Sequence, residues 1–176
     1  KSLETTALNF YPSNAVSASG TSLGSLSAKY ESNGNPATIA RTKGDIGGAS
    51  YGTYQLTTAS GHATKFASQY GGALKGLKAG TTAFDNAWKA EAKKDPEKFK
   101  QAQHSYMYNA HYTPAVNAFK KVTGLNPETA PIGIQNMIWS IGVQHGAGGA
   151  RSVFKNAGDH KGDNWETIVK KVYHER

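Results

Sequence analysis

The residue whose position could support acid–base chemistry most directly is Glu31, which stands at the end of a predicted helix. Apolar residues before it recur three and four positions apart, so the spacing predicts a helix from about Ser22 to Gly34. The space enclosed by the following loop would desolvate a carboxyl group there, and this raises a carboxyl pKa toward the range of a general acid. On position alone, an exposed glutamate at a helix end is the simpler interpretation.

Three short segments change that interpretation through their order along the chain. They are residues 31–36 (Glu-Ser-Asn-Gly-Asn-Pro), 52–56 (Gly-Thr-Tyr-Gln-Leu) and 142–150 (Gly-Val-Gln-His-Gly-Ala-Gly-Gly-Ala). Together the segments resemble the lytic transglycosylase and goose-type lysozyme group over roughly residues 22–155. Within that group, a phage lysin is the nearest type, and the nucleocapsid lysin of an enveloped double-stranded RNA phage is one candidate.

The resemblance implies a role for several residues of the first two segments. Glu31 would protonate the glycosidic oxygen, and Ser32 would support the acid or the helix end. Tyr54 and Gln55 would contact the N-acetyl sugars of a peptidoglycan strand. Apart from the resemblance, Tyr51 would be a stacking platform for a sugar ring if it is exposed, because sugar rings present apolar C–H faces.

The third segment departs from the group's pattern, because Val143 stands at the expected tyrosine and Gln144 at the expected asparagine. The resemblance implies that Gln144 or His145 lies near the scissile bond. A Tyr-Asn-Ala sequence that begins at Tyr108 is a rival placement, although an aromatic residue on a helix with apolar neighbours is more often part of the core.

A second carboxylate would decide between two mechanisms, and the loop after Glu31 offers Asp45. An inverting hydrolase needs a base about 6.5–9.5 Å from the acid. A lytic transglycosylase needs none, since the sugar's own hydroxyl attacks. The glycines around Asp45 allow close approach of a ligand, but aspartate is equally common in a solvated turn. Hydrolase and transglycosylase both stay open.

Other catalytic classes are disfavoured by what the sequence lacks. The chain has no cysteine, no His-Glu-x-x-His motif and no Gly-x-Ser-x-Gly motif. The nearest helical histidine pair, His104 and His111, is spaced too widely to share a metal readily. We therefore predict that the protein uses no metal and no cofactor.

The charge balance indicates an anionic partner. Lysine and arginine number 20 against 12 aspartates and glutamates, which gives a net charge of +8. Besides peptidoglycan glycan strands, an anionic cell-envelope surface is therefore a candidate partner. The basic residues are scattered and are not interleaved with aromatic residues, so no nucleic acid is expected.

The segments that would position these residues are mostly helical. Phe84 and Trp88 anchor a helix bounded by Asp95-Pro96, and residues 33–55 predict a glycine-rich loop or short hairpin.

Further helices follow from capping and periodicity in the second half of the chain. A helix is predicted from the Thr113-Pro114 cap to Gly124, and a central buried helix over residues 131–145. A last helix is predicted after a capping box of Asp163 and Glu166.

These features together predict a mainly α fold of the lysozyme-like α+β type. It would be a single domain over residues 22–176, preceded by an arm of residues 1–21 and with the glycine-rich loop or hairpin beside a cleft. No apolar run approaches the roughly 20 residues of a membrane span. The chain begins with Lys1, so we expect that a preceding segment was removed.

The predicted function is that of a bacteriolytic enzyme that acts on the cell wall in the periplasm. The protein is expected to be a monomer, and association with a virion is a further predicted location. A peptidoglycan cross-link endopeptidase and a non-catalytic glycan-binding module are the alternatives.

Overall fold

The computed structural model describes residue 23 and residues 33–44, 48–158 and 160–175. The described residues divide into two compact units: one contains those from 33 to Tyr106, and the other contains Leu23 and those from Met107 onward. The predicted arm and most of the predicted first helix lie outside the described residues. So do Glu31, Ser32 and Asp45.

A small antiparallel sheet occupies the glycine-rich region of the first unit. Its strands are β1 (Ile39–Ala40), β2 (Ser50–Tyr51) and β3 (Leu56–Thr57), in the order β1-β2-β3. Tyr51 lies opposite Ile39 on one side and Leu56 on the other. The predicted hairpin is therefore present, and a third strand follows it.

The helices of the first unit pack around aromatic side chains. They are α1 (His62–Tyr70), α2 (Thr82–Lys94) and α3 (Pro96–Met107), with a 3₁₀ turn at Gly72–Leu74. These helices contribute the fully buried rings of Phe66, Phe84, Trp88 and Phe99. The helix predicted from Phe84 and Trp88 is confirmed.

The second unit begins with a π-helical turn, Tyr108–Tyr112, which continues into α4 (Thr113–Thr123) without a break. The predicted N-cap at Thr113 is wrong, because Tyr112 before it already has helical angles and no side chain caps the junction. The predicted stop at Gly124 is confirmed. This glycine has a φ of 73°, which ends the helix in the left-handed region.

The longest helix is α5 (Ile132–Asn156), preceded by a 3₁₀ turn at Pro127–Thr129. The structure confirms the predicted central helix, and its buried face carries Ile134, Met137, Ile138 and Ile141. Gly146, with φ 65° and ψ −178°, breaks the helical path and produces a kink.

The last helix, α6 (Trp165–Glu175), begins one residue later than the predicted capping box implies. The side-chain oxygen of Asn164 accepts the backbone N–H of Thr167 at 2.9 Å. Asp163 instead accepts a bond from the Lys171 ammonium at 2.7 Å. The prediction that Asp163 is the cap was wrong, because its side chain pairs with this lysine.

The prediction of a mainly α fold is confirmed, since the described residues are mostly helical and include a small three-stranded sheet. Within the described ranges, no helix combines the length and the apolar character that crossing a bilayer requires.

Candidate functional site

The clearest cluster of polar groups in the first unit surrounds the tight turn between β2 and β3. Gly52 has a φ of 77° and Gln55 a φ of 50°, so a non-glycine residue adopts the left-handed region here. The side chain of Gln55 stabilises the turn, since its Nε2 donates to the Gly52 carbonyl at 2.9 Å.

The buried side chain of Gln103 on α3 holds this turn in place. Its Oε1 accepts the Thr53 N–H at 2.7 Å, and its Nε2 donates to the Pro36 carbonyl at 3.2 Å. A Cβ added to Gly52 would lie only 2.2 Å from Gln103 Oε1. Glycine at position 52 is therefore required both by its φ angle and by this close approach.

The hydroxyl of Tyr54 lies 2.8 Å from Nδ1 of His104, also on α3. Burial lowers the pKa of His104 to about 4, because the interior disfavours the imidazolium form. The histidine is therefore neutral near pH 7 and acts as a hydrogen-bonding partner of the tyrosine, not as a cation.

Tyr51 lies at the centre of a second polar contact. Its hydroxyl donates to Asp85 Oδ1 at 2.6 Å and accepts the Gly80 N–H at 3.0 Å. Asp85 also pairs with Arg41 at 2.8 Å. Burial, followed by the Asp85 hydrogen bond, raises the pKa of Tyr51 to about 12. Burial opposes ionisation of Asp85, but the bonds from Arg41 and Tyr51 outweigh it, so the pKa of this carboxyl stays below its usual value.

The predicted residues of the first unit therefore serve the interior. Tyr51 and Tyr54 are 0% and 6% exposed as whole residues, so neither ring presents a face to a ligand in this conformation. Gln55 is half-buried and is bonded to its own turn. The structure brings these three residues together through the geometry of the strands and the turn.

The remaining described candidates, Tyr108, Gln144 and His145, lie in the second unit. Tyr108 is half-buried in the π-helical turn, and its ring lies against that of Tyr112 with the ring centres 5.0 Å apart and the planes tilted by 54°. Gln144 and His145 are exposed on α5 just before the kink at Gly146. In the described part of the chain, no group of three or more histidine, aspartate or glutamate side chains could hold a metal ion.

The sequence alone does not indicate the partners of the turn and sheet, which are Gln103, His104, Asp85 and Arg41. Each bond joins residues that are far apart along the chain, with separations of 50 residues for the two contacts that hold the turn. The sequence carries no local signal for such contacts.

The comparison with known proteins points to a different family from the one expected. A family model described as "Type VI secretion system spike protein VgrG3-like, C-terminal" matches residues 23–175. The chain belongs to this family. The type VI secretion system spike protein VgrG3 of Vibrio cholerae serotype O1 (strain ATCC 39315 / El Tor Inaba N16961) is 34% identical over 152 residues. The match covers 85% of this chain and 14% of the VgrG3 protein.

This finding contradicts the expected identification as a lytic transglycosylase or goose-type lysozyme-like phage lysin. The predicted peptidoglycan-cleaving function and enzyme class were therefore wrong, as was the endopeptidase alternative. The resemblance depended on short segments. Local geometry explains the segment 52–56, which lies in the first unit. Gly52 and Gln55 satisfy the turn, and Tyr54 bonds to His104.

Proposed function

We propose that this chain serves as the C-terminal domain of a longer type VI secretion spike protein and is carried by it. The observation that supports the proposal is the family match over residues 23–175. In addition, the match with VgrG3 covers only 14% of that longer protein. A region of this size corresponds to one domain of a multidomain protein.

The packing of each unit is suited to a domain that must stay folded when it is carried by another protein. In the first unit, the centre of the Trp88 ring lies 4.9 Å from the centre of the Phe99 ring and 5.3 Å from that of the Phe66 ring. In the second, the rings of Phe119 and Phe154 meet edge to face at 5.2 Å. Aromatic burial of this kind contributes substantially to core stability.

The absence of cysteine from the sequence supports the same proposal. A domain that moves between a reducing and an oxidising compartment meets two redox environments. A fold that uses no thiol and no disulfide does not depend on which of them surrounds it.

An export experiment tests the proposal. The full-length spike protein that contains this domain is tagged and expressed in its host and in a matched strain that lacks an assembly component of the type VI system. We expect residues 23–175 to be detected outside the parent cells and to remain inside the mutant cells. Equal release from both strains would contradict the proposal, with a cytoplasmic marker used to exclude lysis.

The lysozyme-like arrangement, the monomeric state and the periplasmic location stay predictions. An experimental structure tests the first and light scattering the second, whereas fractionation of recipient cells tests the third.

A further inference from the structure

The turn that precedes β1 contains the single Asn-Gly pair of the sequence, Asn33 and Gly34. When glycine follows asparagine, no Cβ obstructs the approach of its backbone nitrogen to the asparagine side chain. Asn33 is exposed, and within the described ranges its side chain forms no hydrogen bond. The amide of Asn33 is therefore open to water and is not held away from the Gly34 nitrogen.

Asn35, in the same turn region, differs in both respects. It is also exposed, but its Oδ1 accepts the Ala37 N–H at 2.9 Å, which fixes the position of the side chain. The next residue is Pro36, whose nitrogen carries no hydrogen and cannot attack an amide. Two exposed asparagines that lie two positions apart thus have opposite chemical prospects.

A positive charge lies beside the Asn-Gly pair. A Cβ built on Gly34 would be 3.8 Å from the Lys100 Nζ. In the described ranges no carboxylate forms an ion pair with Lys100. An ammonium group at this position favours a deprotonated Gly34 nitrogen and the oxyanion that forms when this nitrogen attacks a carbonyl.

We propose that Asn33 is a site of spontaneous deamidation, in which the backbone nitrogen of Gly34 attacks the side-chain amide. The nitrogen loses its proton to hydroxide and forms a bond to Cγ of Asn33. The bond from Cγ to Nδ2 breaks, and the amide nitrogen takes a proton from water and leaves as ammonia. Water then opens the resulting succinimide at either carbonyl, which gives aspartate or isoaspartate. Water is the only co-reactant, and the inference does not depend on the proposed function.

The two products differ in their effect on the fold. Aspartate tolerates the φ of 53° at position 33 as asparagine does, so this product keeps the turn. Isoaspartate adds a carbon atom to the main chain shortly before Pro36. The Pro36 carbonyl accepts bonds from Trp88 Nε1 at 2.8 Å and from Gln103 Nε2 at 3.2 Å. The isoaspartate product therefore displaces a segment that is anchored to the core of the first unit.

Ageing of the purified full chain in mildly alkaline buffer tests the inference. Trypsin cleaves after Lys29 and Arg41, so one peptide of residues 30–41 carries both Asn33 and Asn35. Mass spectrometry follows the mass gained when the amide becomes an acid, and fragment ions assign it to one of the two positions. Methylation by an isoaspartyl methyltransferase identifies the isoaspartate product.

Three variants separate the causes of the reaction. Gly34→Ala adds the Cβ that obstructs attack, and Lys100→Gln removes the neighbouring charge. Lys121→Gln is the matched control, because it removes the same charge from an exposed position on α4. A chain unfolded in urea gives the rate without the folded environment, so the folded rate remains interpretable even if Gly34→Ala disturbs the turn.

We expect conversion of Asn33 to both products while Asn35 stays intact. Gly34→Ala should slow the reaction by at least about tenfold. Lys100→Gln should slow it by about threefold to tenfold, and Lys121→Gln by less than about twofold. Conversion of Asn35 as fast as Asn33 would overturn the inference, as would an intact Asn33 in the folded chain after the unfolded chain has reacted. Equal rates in the two lysine variants would overturn the role of Lys100.

Discussion

The Tyr54 hydroxyl and Nδ1 of His104 lie 2.8 Å apart, although 50 residues separate them in the chain. The contact ties the turn between β2 and β3 to α3. Since His104 must stay neutral where it is buried, this connection between sheet and helix depends on pH.

The stability of the protein should therefore fall in mild acid. His104 has an ordinary pKa of 6.5 when unfolded and a pKa of about 4 when folded. Between these values the unfolded chain binds a proton that the folded chain does not, so stability is lost as the pH falls from 6.5 toward 4. The loss amounts to about 3 kcal/mol of the free energy of unfolding.

Urea denaturation across this pH range measures the effect, and His104→Gln should make the profile flatter. His62→Gln is a second test variant, because burial also lowers the pKa of His62 and its replacement should flatten the profile in the same direction. An unchanged pH profile in the His104 variant would show that the acid sensitivity arises elsewhere.

Gly142 on α5 marks a close contact with the π-helical turn, and its replacement should be costly. A Cβ at this position would lie 2.6 Å from the His111 carbonyl oxygen and 2.9 Å from the Ala115 side chain. Gly142→Ala is therefore expected to lower the free energy of unfolding by about 1–3 kcal/mol, since the backbone must shift to admit a methyl group.

Gly133→Ala provides the matched control in the same helix, because no atom lies within 4 Å of its added Cβ. This substitution should be neutral or stabilise the protein by up to about 1 kcal/mol. Equal destabilisation by the two alanines would show that α5 does not approach the π-helical turn as closely as the structure indicates.

The start of α6 provides a third comparison. Asn164→Ala removes the side-chain acceptor of the Thr167 N–H and should cost about 1 kcal/mol. Glu166→Ala removes only an exposed pair with Lys170, so its cost should stay below about 0.5 kcal/mol. Thermal denaturation of both variants measures the difference. A larger loss of stability for Glu166→Ala than for Asn164→Ala would instead support the capping box that the sequence pattern predicted.

Local patterns predicted the elements whose limits depend on nearby residues. Asp95 and Pro96 separate α2 from α3, and Gly124 ends α4 through its left-handed backbone. The apolar run after Pro131 predicted the buried face of α5. In each case the physical cause lies within a few residues of the position concerned.

The other features depend on contacts that the local sequence does not encode. The π-helical turn packs closely against Gly142, and Gln103 holds a turn 50 residues away. Asp163 and Asn164 are both suitable caps by type, and only the partner Lys171 decides between them. Gly52, Tyr54 and Gln55 were predicted to line a glycan site, but they have structural roles in the turn between β2 and β3.

A chimeric spike tests the central claim most directly. The region of Vibrio cholerae VgrG3 that matches residues 23–175 is replaced by this chain, and release from cells with an active type VI system is quantified. A second chimera carries Gly142→Ala as a destabilised control. The first chimera should be released at a level comparable with native VgrG3 and only when the system is intact. Retention of a correctly folded first chimera, or its release without the system, would contradict the account.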